Sequence, residues 1–382
     1  MKPITATLVA LVSVSLYAET AAAQVSVYGV FGIGYPGRPV VVAARAMGDG
    51  IAVLDPRSPV NPATVALQRR LRVSGMMVTS GRKYEIDNTV TGDLRDTRFA
   101  VALLAGPLGS SPLSFGVSYA LYADRTYDLV TSDSVVVRGE TIGVDDELSS
   151  DGGISDIRAA VGWFASPAFQ IGAGLHLLSG STRERVARRF DDAFYLPITQ
   201  EGDVSYSGWG VSAGAVYTPF QRLRFGVTVR WDSELNADEP LLPTTEIQLP
   251  MTVTAGISAL PLPALQWSAS ASWRSWSRGR DDLPADANVR VFDTWEVGTG
   301  LQFGGPDLGV GRFPLRVGVR YAQLPFSGSD DQPREIDLTA GSGISFAADR
   351  AMLDFAVERV LRDGGGASER AWQISVGLSL RP

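Results

Sequence analysis

Residues 247–258 read IQLPMTVTAGIS, and residues 265–274 read LQWSASASWR. Apolar side chains alternate with small or polar ones through both stretches. Alternation with a period of two is typical of a β-strand that has one apolar face and one polar face. With their flanking residues, both stretches reach the length of about ten residues that a tilted strand needs to cross a bilayer. Pro261-Leu262-Pro263 separates them, so the two stretches predict a transmembrane hairpin.

The chain repeats this pattern from residue 66 onward. Short connections that contain Pro or Gly alternate with long polar ones, as in outer-membrane barrels with short periplasmic turns and longer extracellular loops. We therefore predict an all-β fold, a 14-stranded antiparallel transmembrane β-barrel with both chain ends on the periplasmic side. A soluble β-sandwich is the alternative, but it does not explain the long strands or the Trp and Tyr residues near the ends of the apolar faces. The predicted strands are 66–80, 94–105, 112–124, 154–166, 169–181, 204–217, 222–235, 245–259, 264–276, 288–303, 312–324, 335–347, 351–361 and 370–381.

Two further segments precede the predicted barrel. A basic start, an apolar stretch from Ile4 to Leu16 and the small residues Ala21-Ala22-Ala23 predict a secretory signal peptide that is cleaved near Ala23. The next forty or so residues are rich in Gly and Pro and predict a compact N-terminal plug. The predicted division is a signal peptide over 1–23, a hatch or plug over 24–65 and a barrel over 66–382. The predicted location is the outer membrane of a Gram-negative-type bacterium.

The composition excludes several classes of function. There is no cysteine and only one histidine, His176, which excludes thiol nucleophiles, disulfides and His-rich metal sites. A net charge of −7 leaves no basic footprint for nucleic acid. No cofactor and no metal site is predicted. After the signal peptide, no stretch approaches the roughly 18 uninterrupted apolar residues of a transmembrane helix.

Charges of both signs lie on the polar faces of the predicted strands. They form either a polar path or carboxylate clamp, or a salt-bridged interior that holds a plug, which is the reading we favour. Glycines on the same faces, such as Gly162, Gly172 and Gly214, leave space for a plug or a ligand. The candidate lumen residues are Arg158, His176, Arg222, Arg224, Arg230, Glu296, Arg316, Arg320, Asp337, Asp354 and Glu358, with Arg98, Asp156 and Arg381 on the same faces.

The single histidine raises the question of catalysis. A hydrolase built into the barrel needs a Ser–His pair and a third group that orients the imidazole. Ser179 and Ser207 are the nearest candidates to His176 in the predicted strands, but no sequence motif supports them. We predict a hydrogen-bonded lumen histidine and no enzymatic activity.

Two short motifs resemble the FadL/TodX family of outer-membrane transporters for hydrophobic compounds such as long-chain fatty acids. Ala44 to Val53 followed by Asn61-Pro62-Ala63 is similar to that family's small-residue segment, which ends in an Asn-Pro-Ala signature. Leu249 to Gly256 followed by Trp273-Arg274-Ser275-Trp276-Ser277 is similar to its late hairpin. The resemblance implies a 14-stranded barrel with an N-terminal hatch of about forty residues.

The resemblance also implies a function. It implies passive uptake of hydrophobic small molecules, fatty-acid-like or aromatic, past the hatch and sideways through the wall into the membrane. Lateral exit suits an apolar ligand because it avoids transfer into water. Asn61, Pro62 and Ala63 are the expected hatch and gating residues, and Trp273 and Trp276 are the expected ligand-entry residues. The sequence departs from the family in Asp55-Pro56-Arg57-Ser58-Pro59 before the signature and in a non-aromatic C-terminus. It also departs in the predicted loops 125–153 and 182–203, which would form the capture site but are short and polar.

Two other roles remain open. One is a PorV-like barrel that acts through partners in protein export or surface assembly, and the other is a general polar porin. The expected partners are outer-membrane lipid and lipopolysaccharide, a hydrophobic ligand and the barrel-assembly machinery during biogenesis. Loop charges predict a solvated surface loop or a contact with lipopolysaccharide; they are Arg183, Glu184, Arg185, Arg188, Arg189, Asp191 and Asp192.

Overall fold

The computed structural model describes residues 26–86, 90–192, 194–239, 244–282, 289–304, 313–347 and 350–381. The predicted signal peptide and its cleavage site near Ala23 lie outside these residues. No helix within the described ranges is long and apolar enough to cross a membrane.

Strands make up most of the described chain. The N-terminal segment contains 3₁₀ helices at Val27–Val30 and Pro62–Leu67, a single α-helical turn α1 (Val42–Arg45) and a short strand β1 (Tyr35–Pro36); a third 3₁₀ helix spans Trp276–Asp282. The remaining strands are β2 (Arg72–Ile86), β3 (Val90–Pro107), β4 (Leu113–Asp124), β5 (Tyr127–Val137), β6 (Glu140–Phe164), β7 (Phe169–Phe190), β8 (Ile198–Phe220), β9 (Leu223–Asp232), β10 (Glu234–Asp238), β11 (Thr245–Gln248), β12 (Thr252–Leu262), β13 (Leu265–Arg274), β14 (Arg290–Val291), β15 (Thr294–Phe303), β16 (Leu315–Gln323), β17 (Phe326–Ser327), β18 (Arg334–Phe346), β19 (Ala351–Gly364) and β20 (Ala367–Leu380).

Fourteen of these strands form a closed antiparallel barrel, which confirms the predicted fold class. The barrel closes where β2 pairs with β20 from Val73–Leu380 to Ile86–Ala367. The hairpin predicted from residues 247–258 and 265–274 is present as β12 and β13, which pair from Thr252–Arg274 to Leu262–Leu265. Most connections at one end of the barrel are tight turns, which marks that end as periplasmic. The barrel begins and ends there, at Arg72 and Leu380.

The outer surface of the barrel is an apolar belt. On β20 the outward side chains of Trp372, Ile374, Val376, Leu378 and Leu380 are each between 40% and 57% exposed. Their neighbours in sequence point inward and are polar or small, such as Gln373 and Ser375, which are at most 3% exposed. A continuous apolar exterior around a polar interior suits a bilayer and not water. Tryptophans stand toward the rims of this belt, including the pair Trp209 and Trp231, whose rings lie 5.4 Å apart.

Strands β5 to β8 continue beyond the barrel as a sheet extension, defined here as residues 127–151 and 182–204. The prediction of loops over 125–153 and 182–203 is therefore wrong for most of these residues. They form two hairpins that pair with each other from Val144–Phe190 to Gly152–Thr182. Acidic residues of β6 and β8 flank arginines of β7, and these charges join the strands. The ion pairs are Arg188–Asp146, Arg189–Glu147, Arg183–Asp203 and Arg185–Glu201.

The N-terminal segment begins at the extracellular end, opposite to the end where the barrel strands begin and finish. The Ser26 hydroxyl donates to Glu369 at 2.6 Å, and the Tyr28 hydroxyl donates to the carbonyl of Ala367 at 2.5 Å. Both acceptors lie at the extracellular β19–β20 hairpin. The segment then descends through the lumen to Leu67, and β2 starts at Arg72 rather than at residue 66. The prediction that both chain ends are periplasmic therefore does not hold for the described N-terminal residues.

The wall is discontinuous between β3 and β4. The two strands pair only from Pro107–Ser114 to Val101–Ala120, although β3 extends to Val90. Beyond this point, β1 of the N-terminal segment pairs with Ala123 and Asp124 at the end of β4. Tyr122 is left out of the β4–β6 register, and its carbonyl accepts from the Gly37 N–H at 2.8 Å.

Candidate functional site: the plugged lumen and its cavity

The N-terminal segment fills the lumen by direct contact with glycines of the barrel wall. A Cβ at Gly172 would lie 2.5 Å from the carbonyl carbon of Pro62, so a larger residue there would collide with backbone. Because glycine has no side chain, it lets two backbones approach this closely. The other wall glycines that meet the segment include Gly116, Gly162, Gly214, Gly226, Gly256, Gly298, Gly300, Gly318, Gly341 and Gly377.

Asn61 fixes the segment at the level of Gly214. Its Oδ1 accepts from the Ala63 N–H at 2.9 Å and caps the 3₁₀ helix Pro62–Leu67. Its Nδ2 donates to the carbonyls of Val53 at 3.0 Å and Ala215 at 3.3 Å. The side chain is fully buried. One amide therefore joins two parts of the segment and a barrel strand, and Asn is the residue type that supplies the acceptor and both donors.

Buried ion pairs also attach the segment to β16, β18 and β19. Arg38 bonds Asp49 at 2.8 Å within the segment and reaches Glu358 at 2.8 Å on the wall. Arg45 reaches the same Glu358 at 3.2 Å. Arg320 of β16 contacts Asp49 of the segment at 3.4 Å, and within the wall it contacts Asp337 at 2.9 Å and Glu296 at 2.9 Å. Because these groups are desolvated, removing one partner would leave an uncompensated buried charge.

A second set of ion pairs lies nearer the periplasmic end. Arg57 of the segment bonds Asp55 at 3.1 Å and Asp354 of β19 at 3.0 Å, and Arg316 reaches Asp354 at 2.7 Å. Burial raises the pKa of Asp55, but the adjacent Arg57 guanidinium outweighs this and holds the pKa below its usual value. Asp55 is therefore a carboxylate at neutral pH.

His176 stands in a Ser–His–Asp arrangement. Its Nδ1 lies 2.9 Å from Asp156 Oδ1, and its Nε2 lies 2.9 Å from Ser212 Oγ. Ser212 is thus the partner that sequence reasoning missed, whereas the proposed Ser179 and Ser207 pair with each other across β7 and β8. Asp156 also accepts from Arg230 at 2.5 Å. Ser212 is 6% exposed and is not among the residues that line the cavity described next.

A cavity of about 110 Å³ lies above the plug, on its extracellular side. Its apolar wall comes from the N-terminal segment and from the rim, and includes Val40, Pro59, Val60, Pro250 and Trp276. Its polar wall comes from the barrel strands and includes Tyr122, His176, Thr228, Arg230, Arg274 and Glu296. A small site with an apolar side and a few polar groups is typical of binding pockets for organic ligands.

The structure separates the two predicted ligand-entry residues. Trp276 is 5% exposed, lines the cavity and packs edge-to-face against Phe326 with ring centroids 5.2 Å apart. Trp273 pairs with Val253 and Trp295 on the outward face of β13, toward lipid. The cavity therefore includes only one of the two.

Most predicted lumen charges lie inside the barrel, with two exceptions, Arg222 and Arg381; Arg381 is exposed just past the end of β20 at Leu380. Arg222 is exposed in the turn between β8 and β9, because the strand starts only at Leu223. Arg158 is 2% exposed, and its Nε and Nη1 have no hydrogen-bond partner among the described residues. Arg224 is partly buried near Asp55. No group of three or more metal-ligating side chains occurs in the part of the chain that the structure describes.

Sequence reasoning missed Arg38, Arg45 and Arg57, the three arginines that tie the segment to the wall. Segment 24–65 contains three arginines but only two acidic residues, Asp49 and Asp55. This excess of positive charge in a segment predicted to be buried was the available signal. It pointed to acidic partners on the barrel wall.

A closed 14-stranded barrel around an N-terminal plug is the architecture of FadL-like outer-membrane proteins, which confirms the family resemblance at the level of the fold. A Pseudomonas aeruginosa FadL homologue aligns with a TM-score of 0.63 and 14% identity, over 91% of this chain and 99% of the homologue. The CymD monoaromatic hydrocarbon channel aligns with a TM-score of 0.57 and 14% identity, over 92% and 99% of the two chains. The P. putida toluene transporter TodX aligns with a TM-score of 0.56 and 14% identity, over 91% and 99%.

The sequence itself matches one family model. The model described as BamG matches residues 1–241, more than half of the 382 residues, and the chain belongs to the BamG family. No curated protein matches the sequence.

Proposed function

We propose that this protein is an outer-membrane channel for passive uptake of hydrophobic small molecules, fatty-acid-like or aromatic. The observation that carries the proposal is the position of the cavity, which lies above the plug and reaches Tyr122 beside the discontinuity between β3 and β4. In this mechanism, a ligand enters past Trp276, rests in the cavity and leaves sideways into the membrane. The channel performs no chemistry on its ligand.

Physical arguments support the route. An apolar ligand gains free energy when it moves from water into an apolar pocket, and a lateral exit spares it a second transfer into water. A cavity of about 110 Å³ approaches the roughly 150 Å³ of an engineered apolar cavity that binds benzene. Residues 24–65 act as the hatch, with Asn61, Pro62 and Ala63 as its fixed end beside β8.

The gate in this proposal is the part of the N-terminal segment that seals the wall. β1 pairs with the end of β4 at Ala123 and Asp124, and the Gly37 N–H donates a hydrogen bond to the Tyr122 carbonyl. Displacement of β1 would connect the cavity to the discontinuity without disturbing Asn61. The barrel pairs that surround the discontinuity would stay in place.

Cells with and without the protein provide the test. Uptake of a fluorescent or radiolabelled hydrophobic probe, such as an aromatic hydrocarbon, is expected to be faster when the protein is present. A polar probe of similar size is the control and should enter equally in both strains. Equal uptake of the hydrophobic probe would reject the channel.

A second function is favoured by a separate observation, the match to the BamG family. In this alternative the barrel acts through partners in protein export or surface assembly, in the manner of PorV-like barrels, and associates with the barrel-assembly machinery. Its test is co-purification of a stable complex from intact outer membranes, with quantified stoichiometry. A general polar porin is less compatible with a lumen in which plug backbone touches the wall glycines.

The proposed location follows from either function. The signal peptide over 1–23 is cleaved near Ala23, and the barrel over 66–382 stands in the outer membrane with its apolar belt in lipid. Lipopolysaccharide surrounds the extracellular half, where the arginines of the sheet extension lie. Mass spectrometry of the mature N-terminus and fractionation of membranes test both points.

A further inference from the structure

The sheet extension has one long edge on which none of the described strands lies. β5 pairs with β6 from Tyr127–Ser150 to Val137–Glu140, and no other strand of the described residues pairs with β5. The edge is also exposed: Val130 is 52% and Val136 is 71% exposed. Such an edge is a template for a further strand, and proteins that remain monomeric usually protect it with Lys, Pro or a bulge. β5 contains none of these.

The turn of this hairpin shows which backbone groups point to the free side. Arg138 and Gly139 have φ of 54° and 90°, as a two-residue type I′ turn requires. The closing pair Val137–Glu140 is then hydrogen-bonded, and hydrogen-bonded pairs alternate along the ladder. Val130, Ser132, Ser134 and Val136 therefore direct their N–H and C=O groups away from β6. In agreement, the Ser134 N–H donates to its neighbour Asp133 at 2.7 Å.

The opposite edge of the extension differs. β8 over 198–204 is shorter, and its Glu201 and Asp203 bind Arg185 and Arg183 of β7. This edge is therefore shorter than that of β5, and its acidic side chains are already neutralised by arginines. The β5 edge is thus the one prepared for a partner strand.

The negative charge of the hairpin over 127–151 favours a basic partner strand. The hairpin over 127–151 carries a single basic residue, Arg138. Two copies of β5 side by side would bring acidic residues together, which disfavours self-association. A basic strand would instead meet opposite charges. The acidic residues are Asp128, Asp133, Glu140, Asp145, Asp146, Glu147 and Asp151.

We propose that the free edge of β5 binds an extended, positively charged segment of another protein, which adds to the extension as a further strand. Backbone groups of Val130, Ser132, Ser134 and Val136 supply the hydrogen bonds, and the acidic hairpin supplies the selectivity. Strand addition of this type takes its affinity from backbone bonds and its specificity from side chains. The site lies outside the lumen, so it functions whether or not the channel transports a ligand.

The test uses the full-length protein in detergent and fluorescent peptides of about eight residues, the length of an ordinary strand. The basic peptide alternates Lys with Val and Thr, and an acidic peptide replaces Lys with Glu. Two further peptides are the basic one methylated at alternate backbone nitrogens, one in each of the two possible registers. Fluorescence anisotropy is expected to show saturable binding of the basic peptide alone. Equal binding of the basic and acidic peptides, or undiminished binding of both N-methyl registers, would overturn the proposal.

Two variants locate the site. Ser132→Pro removes an outward N–H but no bond to β6, so the hairpin remains while the affinity for the basic peptide falls about tenfold or more. Ser132→Ala keeps the N–H and should bind like the parent chain, although it loses the hydroxyl bond to Asp145 at 2.6 Å. Resistance of the barrel to SDS before heating verifies folding. Unchanged binding by folded Ser132→Pro would place the peptide elsewhere and reject the β5 edge.

Discussion

Arg98 of β3 donates to Asp124 of β4 at 2.7 Å, at a place where the two strands share no backbone pairing. Below this ion pair, Phe99 and Tyr119 stack on the outer side with ring centroids 6.2 Å apart. Side chains therefore close a part of the wall that elsewhere is closed by a hydrogen-bond ladder. A side-chain closure can open without unpairing a strand, because each ladder ends before it.

Replacement of Arg98 by Ala is expected to loosen this closure. The side chain of Arg98 is 19% exposed and that of Asp124 is 8% exposed, so water screens the pair only partly. Loss of the pair should therefore destabilise the neighbouring part of the wall. We expect faster amide hydrogen exchange in residues 91–100 and 121–126, with the remaining barrel unchanged. Arg334→Ala, which removes the exposed pair with Asp363, is the control. Identical exchange in both variants would show that the pair does not hold the wall.

Filling the cavity tests its role in uptake. Val60→Trp adds a large side chain from the plug to a cavity of about 110 Å³, so uptake of a hydrophobic probe should fall while the barrel still folds. Val117→Trp is the matched control, since Val117 is 45% exposed on the outer face. Equal uptake rates in the two variants would mean that the ligand does not pass through this cavity.

A single added methyl group at Gly172 is expected to disturb the contact between the plug and the barrel wall. Gly172→Ala places a methyl group 2.5 Å from the Pro62 backbone, which neither strand nor plug can avoid by rotating a side chain. We expect the plug to be displaced, with greater cleavage of residues 26–67 by an added protease. Gly202→Ala, where nothing lies within 4 Å, should behave like the parent chain. If both variants resist protease equally, the plug adapts to the methyl group.

The sequence predicted the barrel well because each barrel strand has one face in lipid. Alternation then identifies strands such as β13 and β20 without reference to their neighbours. The sheet extension escaped this reasoning, because exposed polar residues such as Thr131 and Arg185 interrupt the apolar alternation along its strands. Its strands are revealed only by cross-strand pairs such as Arg188 with Asp146.

The site was less predictable because it depends on register. The sequence identified His176 and Asn61, but it did not show that His176 of β7 pairs with Ser212 of β8 rather than with Ser207 of the same strand. A shift of one residue between β7 and β8 would change that partner. Tyr122 was missed for a related reason, since it leaves the regular register of β4 only where β1 approaches.

Ser212 of the Ser212–His176–Asp156 arrangement is not expected to act as a nucleophile. The distances of 2.9 Å on both sides of the imidazole match those of acyl-transfer triads, but Ser212 is only 6% exposed and Arg230 also binds Asp156. We expect a fluorophosphonate probe to leave Ser212 unlabelled, as judged by mass spectrometry of the folded protein. Ser212→Ala should not alter the uptake of a hydrophobic probe, and it should cost about 1 kcal/mol of stability through the lost hydrogen bond. Labelling that depends on both Ser212 and His176 would instead establish an enzyme.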